Sequence, residues 1–278
     1  MTRLIALLCL AALAGPGVAL AHERPVTMSL LQFKPPVVNI LVGDTVRWTN
    51  KDGSQKHDVR SNEGVTPAFM SGDLAFDQTF TSPAFDAEGD FGYHCARHLV
   101  MRGTIRVHEI WLGAPAAAAL HGTSVKLNGL APEGTEVTVE RLVDATWTPV
   151  TTLTAGENGV FSHIVPAVLA DYRATMPGAE SGPTSVKVKP RVTLARKRLP
   201  FKRTRVSVTA APNRAGAVTV LQRRSPLGWK AIASKRLGTN SKAAFVVRPK
   251  KGMWRVRALV KASNGYAANQ SGVIIVKR

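Results

Sequence analysis

Cysteine is nearly absent from this chain of 278 residues. Only Cys9 and Cys95 occur, and Cys9 lies in an N-terminal segment with the pattern of a leader. Once such a leader is removed, Cys95 has no partner, which excludes an intramolecular disulfide. An isolated thiol outside the cytoplasm is either a liability or a metal ligand. The residues around Cys95 therefore carry most of the functional information.

An apolar run long enough to cross a membrane is also missing. The run from Leu4 to Leu13 ends at a Gly-Pro-Gly motif, well short of the about 20 residues that a spanning helix needs. Arg3 precedes the run and the small-residue motif Ala-Leu-Ala follows it, which is typical of a secretory signal peptide. We predict a signal peptide over 1–21, cleaved near Ala21, and a secreted or extracytoplasmic protein of the cell envelope or periplasm.

Acidic residues are absent from the last third of the chain. Residues 189–278 contain 23 Lys and Arg and no Asp or Glu, which accounts for the net charge of +19. This asymmetry predicts that the C-terminal module contacts an anionic cell-wall polymer or membrane surface. Nucleic acid is not favoured, because the chain is predicted to be exported and its aromatic residues are sparse. The alternative is a basic surface that serves only solubility.

Helical periodicity is almost absent, and alternation takes its place. In GDTVRWTN, Val46 and Trp48 share one face of a strand. In DFGYHC, Tyr93 and Cys95 share a face and His94 points the opposite way. We predict an all-β chain.

The second half contains an internal repeat. VTVERLVDATWTPV is similar to VTVLQRRSPLGWKAI, and in both copies a Trp is followed 25 residues later by an aromatic-Arg pair. A repeat of this length predicts two tandem immunoglobulin-like or fibronectin-like β-sandwiches. We expect Trp147 and Trp229 to be core anchors.

These patterns divide the chain into modules. The first β module is predicted over 22–111 and a linker rich in small residues over 112–122. Immunoglobulin-like repeat 1 is predicted over 123–188, and the basic repeat 2 over 189–278.

The segment FGYHCARHLVMRG combines a thiol, an imidazole and a thioether at three-residue intervals, in Cys95, His98 and Met101. Sulfur and imidazole donors select copper over magnesium or calcium, and zinc rarely takes a thioether. A trigonal electron-transfer copper site needs a second histidine.

Four histidines of the first module are candidates for that ligand: His22, His57, His94 and His108. His94 lies on the wrong face of its strand, His108 follows the closing strand, and His22 is at the mature terminus. His57 remains, directly after the Trp48 strand and its Asp52-Gly53 turn.

Three motifs carry a resemblance to a known family: F-x-P at Phe33, VGDTVRWTN from Val42, and YHCARHLVMRG from Tyr93. Over roughly Val26 to Val107 the chain resembles the plastocyanin/azurin group of blue copper proteins, the cupredoxins. The short Cys-x2-His-x2-Met loop is most similar to the amicyanin type. The resemblance implies a Greek-key β-sandwich that binds one type 1 copper ion.

By this resemblance, His57, Cys95 and His98 would be the strong ligands and Met101 the axial ligand. Two positions depart from the family pattern. Asp58 stands where an asparagine is frequent, so a side-chain amide donor to the thiolate is missing. Arg97 replaces a frequent proline and adds positive charge beside His98.

The predicted function is one-electron transfer between Cu(II) and Cu(I), with no catalytic residue, because four protein ligands leave no open position. Multicopper oxidases and copper nitrite reductases need further histidines that this sequence does not supply. By the resemblance, electrons would pass through His98 to a redox partner protein of the envelope, with Leu99 and Val100 as an apolar docking patch. The alternative is a surface interaction or copper-sequestering protein without a dedicated redox partner.

Overall fold

The computed structural model describes residues 21–249 and 252–277. The predicted signal peptide, apart from Ala21, lies outside the described residues. Strands make up nearly all regular structure in the described part, with a single 3-10 turn at Glu157–Gly159, and this confirms the all-β prediction. None of the helical structure described is long and apolar enough to span a bilayer. The chain divides into two compact units: one up to Glu109 together with Pro132–Gly134, the other comprising Ile110–Ala131 and the chain from Thr135 onward.

The first unit is built from two four-stranded sheets. Its described strands are β1 (Glu23–Ser29), β2 (Gln32–Lys34), β3 (Val37–Leu41), β4 (Thr45–Asn50), β5 (Arg60–Ser61), β6 (Thr79–Thr81), β7 (Gly89–His94) and β8 (Arg102–His108). The sheet orders are β2-β1-β4-β6 and β3-β8-β7-β5. β1 pairs with β4 in parallel and β3 pairs with β8 in parallel, whereas β7 and β8 are antiparallel neighbours. The segment that joins β7 to β8 therefore lies at one end of its sheet.

The core of this unit follows from the alternation in the sequence. Val46 and Trp48 are fully buried on β4 while Arg47 between them is exposed, as predicted. The Trp48 ring meets the Tyr93 ring edge-on, with centroids 5.2 Å apart. Ile105 on β8 is also fully buried, and each such side chain contributes about 1.5–3 kcal/mol on burial. The core thus holds the β7 strand, and the cysteine after it, against β4.

The second unit contains the remaining described strands. They are β9 (Trp111–Gly113), β10 (Ala119–Leu120), β11 (Ser124–Leu130), β12 (Glu136–Val143), β13 (Thr146–Thr154), β14 (Val160–Pro166), β15 (Ala170–Met176), β16 (Ala179–Glu180), β17 (Thr184–Val186), β18 (Val188–Lys189), β19 (Arg191–Leu199), β20 (Arg203–Ala211), β21 (Val218–Ser225), β22 (Gly228–Arg236), β23 (Lys242–Val247), β24 (Met253–Val260), β25 (Asn269–Gln270) and β26 (Ile274–Lys277).

Two sets of sheets in this unit share one strand order. The first set is β9-β11-β14 with β13-β12-β15, and β16 and β17 both pair with β15. The second set is β19-β20-β23 with β22-β21-β24, and β25 and β26 both pair with β24. Each central strand shifts register at the same place, between Val139 and Glu140 in one copy and between Leu221 and Gln222 in the other. The immunoglobulin-like classification of the two copies stays a prediction.

The stretch 112–122, predicted as a linker, contains β10 and most of β9. β9 pairs antiparallel with β11, and β10 pairs with β18 in parallel. Small residues such as those of GAPAAAAL do not show the alternation of apolar and polar side chains that marks a strand. The strands β9 and β10 also form by pairing with other segments, which a local pattern does not reveal. The sequence pattern therefore carried no signal for them.

The prediction that Trp147 and Trp229 anchor the cores is wrong. Both side chains are half-buried and lie outside the core clusters, which are centred instead on residues such as Tyr172 and Val256. An arginine guanidinium lies over each indole ring, Arg173 over Trp147 and Arg257 over Trp229. Cation-π contact on the outer face of the sheet, and not core packing, accounts for their partial burial.

Candidate metal centre

The loop between β7 and β8 closes on itself through backbone hydrogen bonds. The N–H of His98 donates to the carbonyl of Cys95 at 3.3 Å, and the N–H of Met101 donates to the carbonyl of His98 at 2.8 Å. The N–H of Cys95 in turn donates to the carbonyl of Met101 at 3.1 Å. Two successive turns therefore place residues three apart on one side of the loop, which explains the spacing seen in the sequence.

His57 reaches the same place from a different part of the chain. It exchanges backbone hydrogen bonds with Leu74, at 3.1 and 2.7 Å, and its side chain is completely buried. The Nε2 atom of its ring lies 3.2 Å from Oδ2 of Asp52. This contact fixes the ring and leaves Nδ1 directed at the loop. A carboxylate behind a ligand histidine is a common means of orienting the imidazole.

Three donor atoms converge at this point. Nδ1 of His57 and Nδ1 of His98 are 3.1 Å apart, and Sγ of Cys95 lies 3.6 Å from the His98 nitrogen and 4.0 Å from the His57 nitrogen. An ion bound at about 2.0 Å by nitrogen and about 2.3 Å by sulfur requires nitrogens less than about 4 Å apart and nitrogen-sulfur separations below about 4.3 Å. All three separations satisfy these limits, so the donors fit a single ion.

Met101 supplies the fourth predicted donor. Its side chain is buried in the same core cluster as Cys95, and its carbonyl receives the Cys95 N–H. A set of two imidazoles, one thiol and one thioether is suited to a type 1 copper site. The fold brings His57, Cys95 and His98 together and buries Met101 in the same core cluster as Cys95. The assignment of all four as copper ligands stays a prediction.

Asp58 lies behind Cys95 and is itself buried. Its main-chain N–H donates to Sγ of Cys95 at 3.4 Å, so a donor to the sulfur is present although the side chain is not an amide. Its carboxylate accepts from the N–H of Ala96 at 2.7 Å and from Nε of Arg60 at 2.6 Å. Burial alone would raise the pKa of the Asp58 carboxyl, but hydrogen bonds from the Cys95 thiol, Arg60 and Ala96 lower that pKa below its ordinary value.

The Cys95 thiol is shielded from water. Burial raises the pKa of this thiol above its ordinary value, and the N–H of Asp58 and of loop residues counteract the shift only in part. A bound cation would favour the thiolate over the thiol, because it stabilises the negative charge on the sulfur directly. The pocket therefore disfavours a free thiolate and suits a metal-bound one.

The face of the loop that carries His98 is open to solvent. The His98 ring is partly exposed, and the Leu99 and Val100 that follow it are 73% and 79% exposed. Arg97 forms a bidentate ion pair with Asp73, with Nε 2.7 Å from Oδ1. The positive charge predicted beside His98 is thus paired with a carboxylate.

The other histidines of the first unit have partners away from the centre. Nδ1 of His94 lies 2.8 Å from Oδ1 of Asn62, and Nε2 of His108 lies 3.1 Å from Oδ1 of Asn39. The main-chain N–H of His22 donates to Asp44 at 2.8 Å. The elimination of these three residues in favour of His57 agrees with these contacts.

The sequence did not predict that two acidic residues contact the ligand residues of the centre. Asp52 was recognised only as a turn residue, and Asp58 only as a departure from a family pattern. Nothing in the local sequence shows that the Asp52 carboxylate faces His57, because the contact depends on how the intervening loop folds. The Asp58 main-chain donor is equally invisible, since every residue type other than proline can supply it.

No family model matches the chain. Among curated proteins it is similar to the chloroplastic plastocyanin of Tetradesmus obliquus, 36% identical over 75 residues, 24% of this chain and 51% of that protein. Amicyanin of Paracoccus denitrificans is 31% identical over 83 residues, covering 30% and 63% of the two chains. Amicyanin-alpha of Methylorubrum extorquens is 33% identical over 104 residues, covering 35% and 86%. A solved structure of a reduced amicyanin variant is 28% identical and covers 31% of this chain and 82% of its own, with a TM-score of 0.29.

The chain spans 51% and 63% of the length of the first two curated relatives, less than two thirds of each. A His-Cys-His group with its cysteine and one histidine buried, and with a methionine on the same loop, in a two-sheet β-sandwich, defines the class of blue copper domains. Through its first module, the chain belongs to the cupredoxin family, with amicyanin and plastocyanin as relatives.

Proposed function

We propose that this protein is an exported electron carrier whose centre binds one type 1 copper ion through His57, Cys95, His98 and Met101. When bound, the copper would supply reversible one-electron chemistry between Cu(II) and Cu(I). The observation that carries the proposal is the convergence of three donor atoms, all within 4.8 Å of one another, in a largely buried pocket. Because these residues and Met101 provide four protein donors, no position is left for a substrate, and the proposal assigns no catalytic residue.

The protein's part in this function is to hold the donors in one arrangement. Asp52 orients the His57 ring, the hydrogen bonds of the 95–101 loop fix the loop donors, and the Asp58 N–H lies against the sulfur. Hydrogen bonds at a ligand sulfur and the apolar packing around it raise the potential of such sites. A preset arrangement also limits the rearrangement that accompanies electron transfer.

The partly exposed His98 ring is the proposed contact for the redox partner protein. Leu99 and Val100 add exposed apolar surface around it, which suits brief encounters of small area. Since the Arg97 guanidinium is paired with Asp73, the contact surface near His98 is less positive than the sequence alone suggests.

Voltammetry of the copper-loaded protein tests the electron-transfer role. We expect a reversible one-electron wave and fast exchange with a respiratory component of the same envelope. Val100→Lys should slow that exchange while leaving the wave unchanged, and Ile164→Lys, at an exposed apolar residue outside the first unit, serves as the matched control. A copper-loaded protein that exchanges slowly with every envelope component would favour the copper-sequestering alternative.

The basic module over 189–278 is proposed to hold the protein at an anionic surface of the envelope. The preceding repeat provides the comparison. There, Arg173 lies over the Trp147 ring at 4.7 Å and forms ion pairs with two glutamates, at 2.7 Å to Glu140 and 2.5 Å to Glu180. The charge of this arginine is therefore neutralised within the repeat.

In the basic module the same arrangement recurs without the acids. Arg257 lies over the Trp229 ring at 4.3 Å, and its Nε donates to Oε1 of Gln222 at 2.8 Å. Gln270 pairs with Leu259, two residues after Arg257. In the other copy, Glu180 pairs with Thr175, two residues after Arg173, so Gln270 takes the position of the second glutamate. Arg224 lies near the same ring at 5.8 Å. Two arginines share one indole with no carboxylate between them, which supports an external anion as their partner.

Salt elution from isolated envelopes tests this attachment. The wild-type chain should bind at low ionic strength and be released by moderate salt, because exposed charges are screened. A double substitution, Gln222→Glu with Gln270→Glu, would recreate the acidic pairing of the other copy and should weaken binding. Absence of binding at low salt would overturn the attachment proposal.

A further inference from the structure

One end of the last β-sandwich gathers the tips of two hairpins. The β19-β20 turn follows Leu199, which pairs with Arg203, and the β21-β22 turn lies between Ser225 and Gly228. β24 begins at this end and β26 finishes there, since Met253 pairs with Lys277. We call the turns 200–202 and 226–227, together with Met253 and Lys277, the hairpin end.

Large apolar side chains project from the hairpin end into solvent. Phe201 is 78% exposed at the first turn, Leu227 is fully exposed at the second, and Met253 is 63% exposed beside them. Phe201 also adopts a φ of 58°, in the left-handed region that bulky residues seldom occupy. Neither burial nor backbone preference explains a phenylalanine at this turn. Residues kept in such conformations are frequent at binding sites.

The same end is densely cationic. Lys202 and Arg203 directly follow Phe201 and are exposed, as is Arg224 next to the second turn. Two small cavities, of about 190 and about 210 Å³, open at this end, and Arg198 and Lys277 line both of them. Neither cavity is lined by an acidic residue. Each has the size and charge to receive a phosphate group.

We propose that the hairpin end docks on a bilayer of anionic lipids, with Phe201 and Leu227 entering the headgroup region and the surrounding Lys and Arg side chains binding lipid phosphates. The docking proposal rests on the proposed attachment of the basic module to an anionic surface, and it identifies that surface as a lipid bilayer. A cell-wall polymer would satisfy the cations but offers no apolar phase for the two side chains. A bilayer provides both, and binding to a membrane surface strengthens with buried apolar area and with attraction to anionic lipids.

Vesicle sedimentation tests the docking. A chain that begins at His22, and so lacks the apolar leader, is mixed with vesicles of phosphatidylcholine alone or with phosphatidylglycerol added. We expect binding to the anionic vesicles only, with part of it retained at about 1 M salt, where the Debye length is about 3 Å. Phe201→Asn combined with Leu227→Ser should weaken binding at least tenfold. Asparagine is at ease in the left-handed region, so the double variant should fold normally.

The matched control is Ile164→Ser, which removes another exposed apolar side chain outside the hairpin end. It should bind the vesicles as the wild type does. Equal binding by the double variant would overturn the insertion of Phe201 and Leu227. Binding to a soluble anionic polysaccharide but not to the anionic vesicles would overturn membrane docking and leave the attachment proposal intact. Failure to bind either one would overturn both.

Discussion

Replacement of Asp58 by alanine would remove a buried carboxylate from behind the metal centre. The carboxylate accepts the N–H of Ala96 at 2.7 Å and Nε of Arg60 at 2.6 Å. Without it, the part-buried Ala96 N–H loses its partner, and an unpaired buried donor costs about 1–3 kcal/mol. Arg60 is exposed and regains its hydrogen bonds from water, so its pairing adds little. We expect the free energy of unfolding of the first unit to fall by about 2 kcal/mol.

Urea unfolding of the copper-free protein, followed by hydrogen exchange in β7 and β8, measures this change in the first unit alone. Asp58→Asn keeps an acceptor for the Ala96 N–H and should cost about 1 kcal/mol. Arg60→Ala is the control for the exposed side of the pair and should cost less than about 1 kcal/mol. If Asp58→Ala and Asp58→Asn both stayed within about 0.5 kcal/mol of wild type, the reasoning about the buried carboxylate would be refuted.

Three further outcomes follow from the structure. A Cβ added in Gly103→Ala would overlap the Tyr93 ring, so thermal unfolding should show a loss of about 1–3 kcal/mol, whereas Gly53→Ala has open space and should match wild type. Because burial raises the pKa of the Cys95 thiol, copper binding must displace its proton, and the affinity measured by chelator competition should rise with pH up to and beyond the ordinary thiol range; a flat profile would contradict this. Asp52→Ala removes the carboxylate that orients a ligand imidazole and should weaken copper binding by about 10–100-fold, and unchanged affinity would show that the contact has no orienting role.

Much of the first unit could be predicted from local patterns. Strand alternation placed Val46, Trp48 and Tyr93 in the core, because side chains two apart share a face whatever the rest of the chain does. The loop donors were predictable for a similar reason, since Cys95 and His98 are joined by one tight turn.

The contacts that were not predicted are long-range ones. The approach of Asp52 to a ligand ring and the pairing of β9 with β11 both depend on how separate segments pack. The outward position of Trp147 and Trp229 goes with arginines two strands away in the same sheet, Arg173 and Arg257, which a search for apolar faces does not register. Sequence periodicity shows which residues share a face of a strand. It does not show which of the two faces packs against the core.

The visible absorption spectrum of the copper(II)-loaded chain most directly tests the central claim, that His57, Cys95, His98 and Met101 form one type 1 copper centre. A thiolate bound to copper(II) in such a site produces an intense blue band, which should disappear in Cys95→Ser. The band should survive in His94→Gln, at a histidine whose ring contacts Asn62 instead. A copper-loaded wild-type protein without colour, or a blue band that persists in Cys95→Ser, would contradict the account.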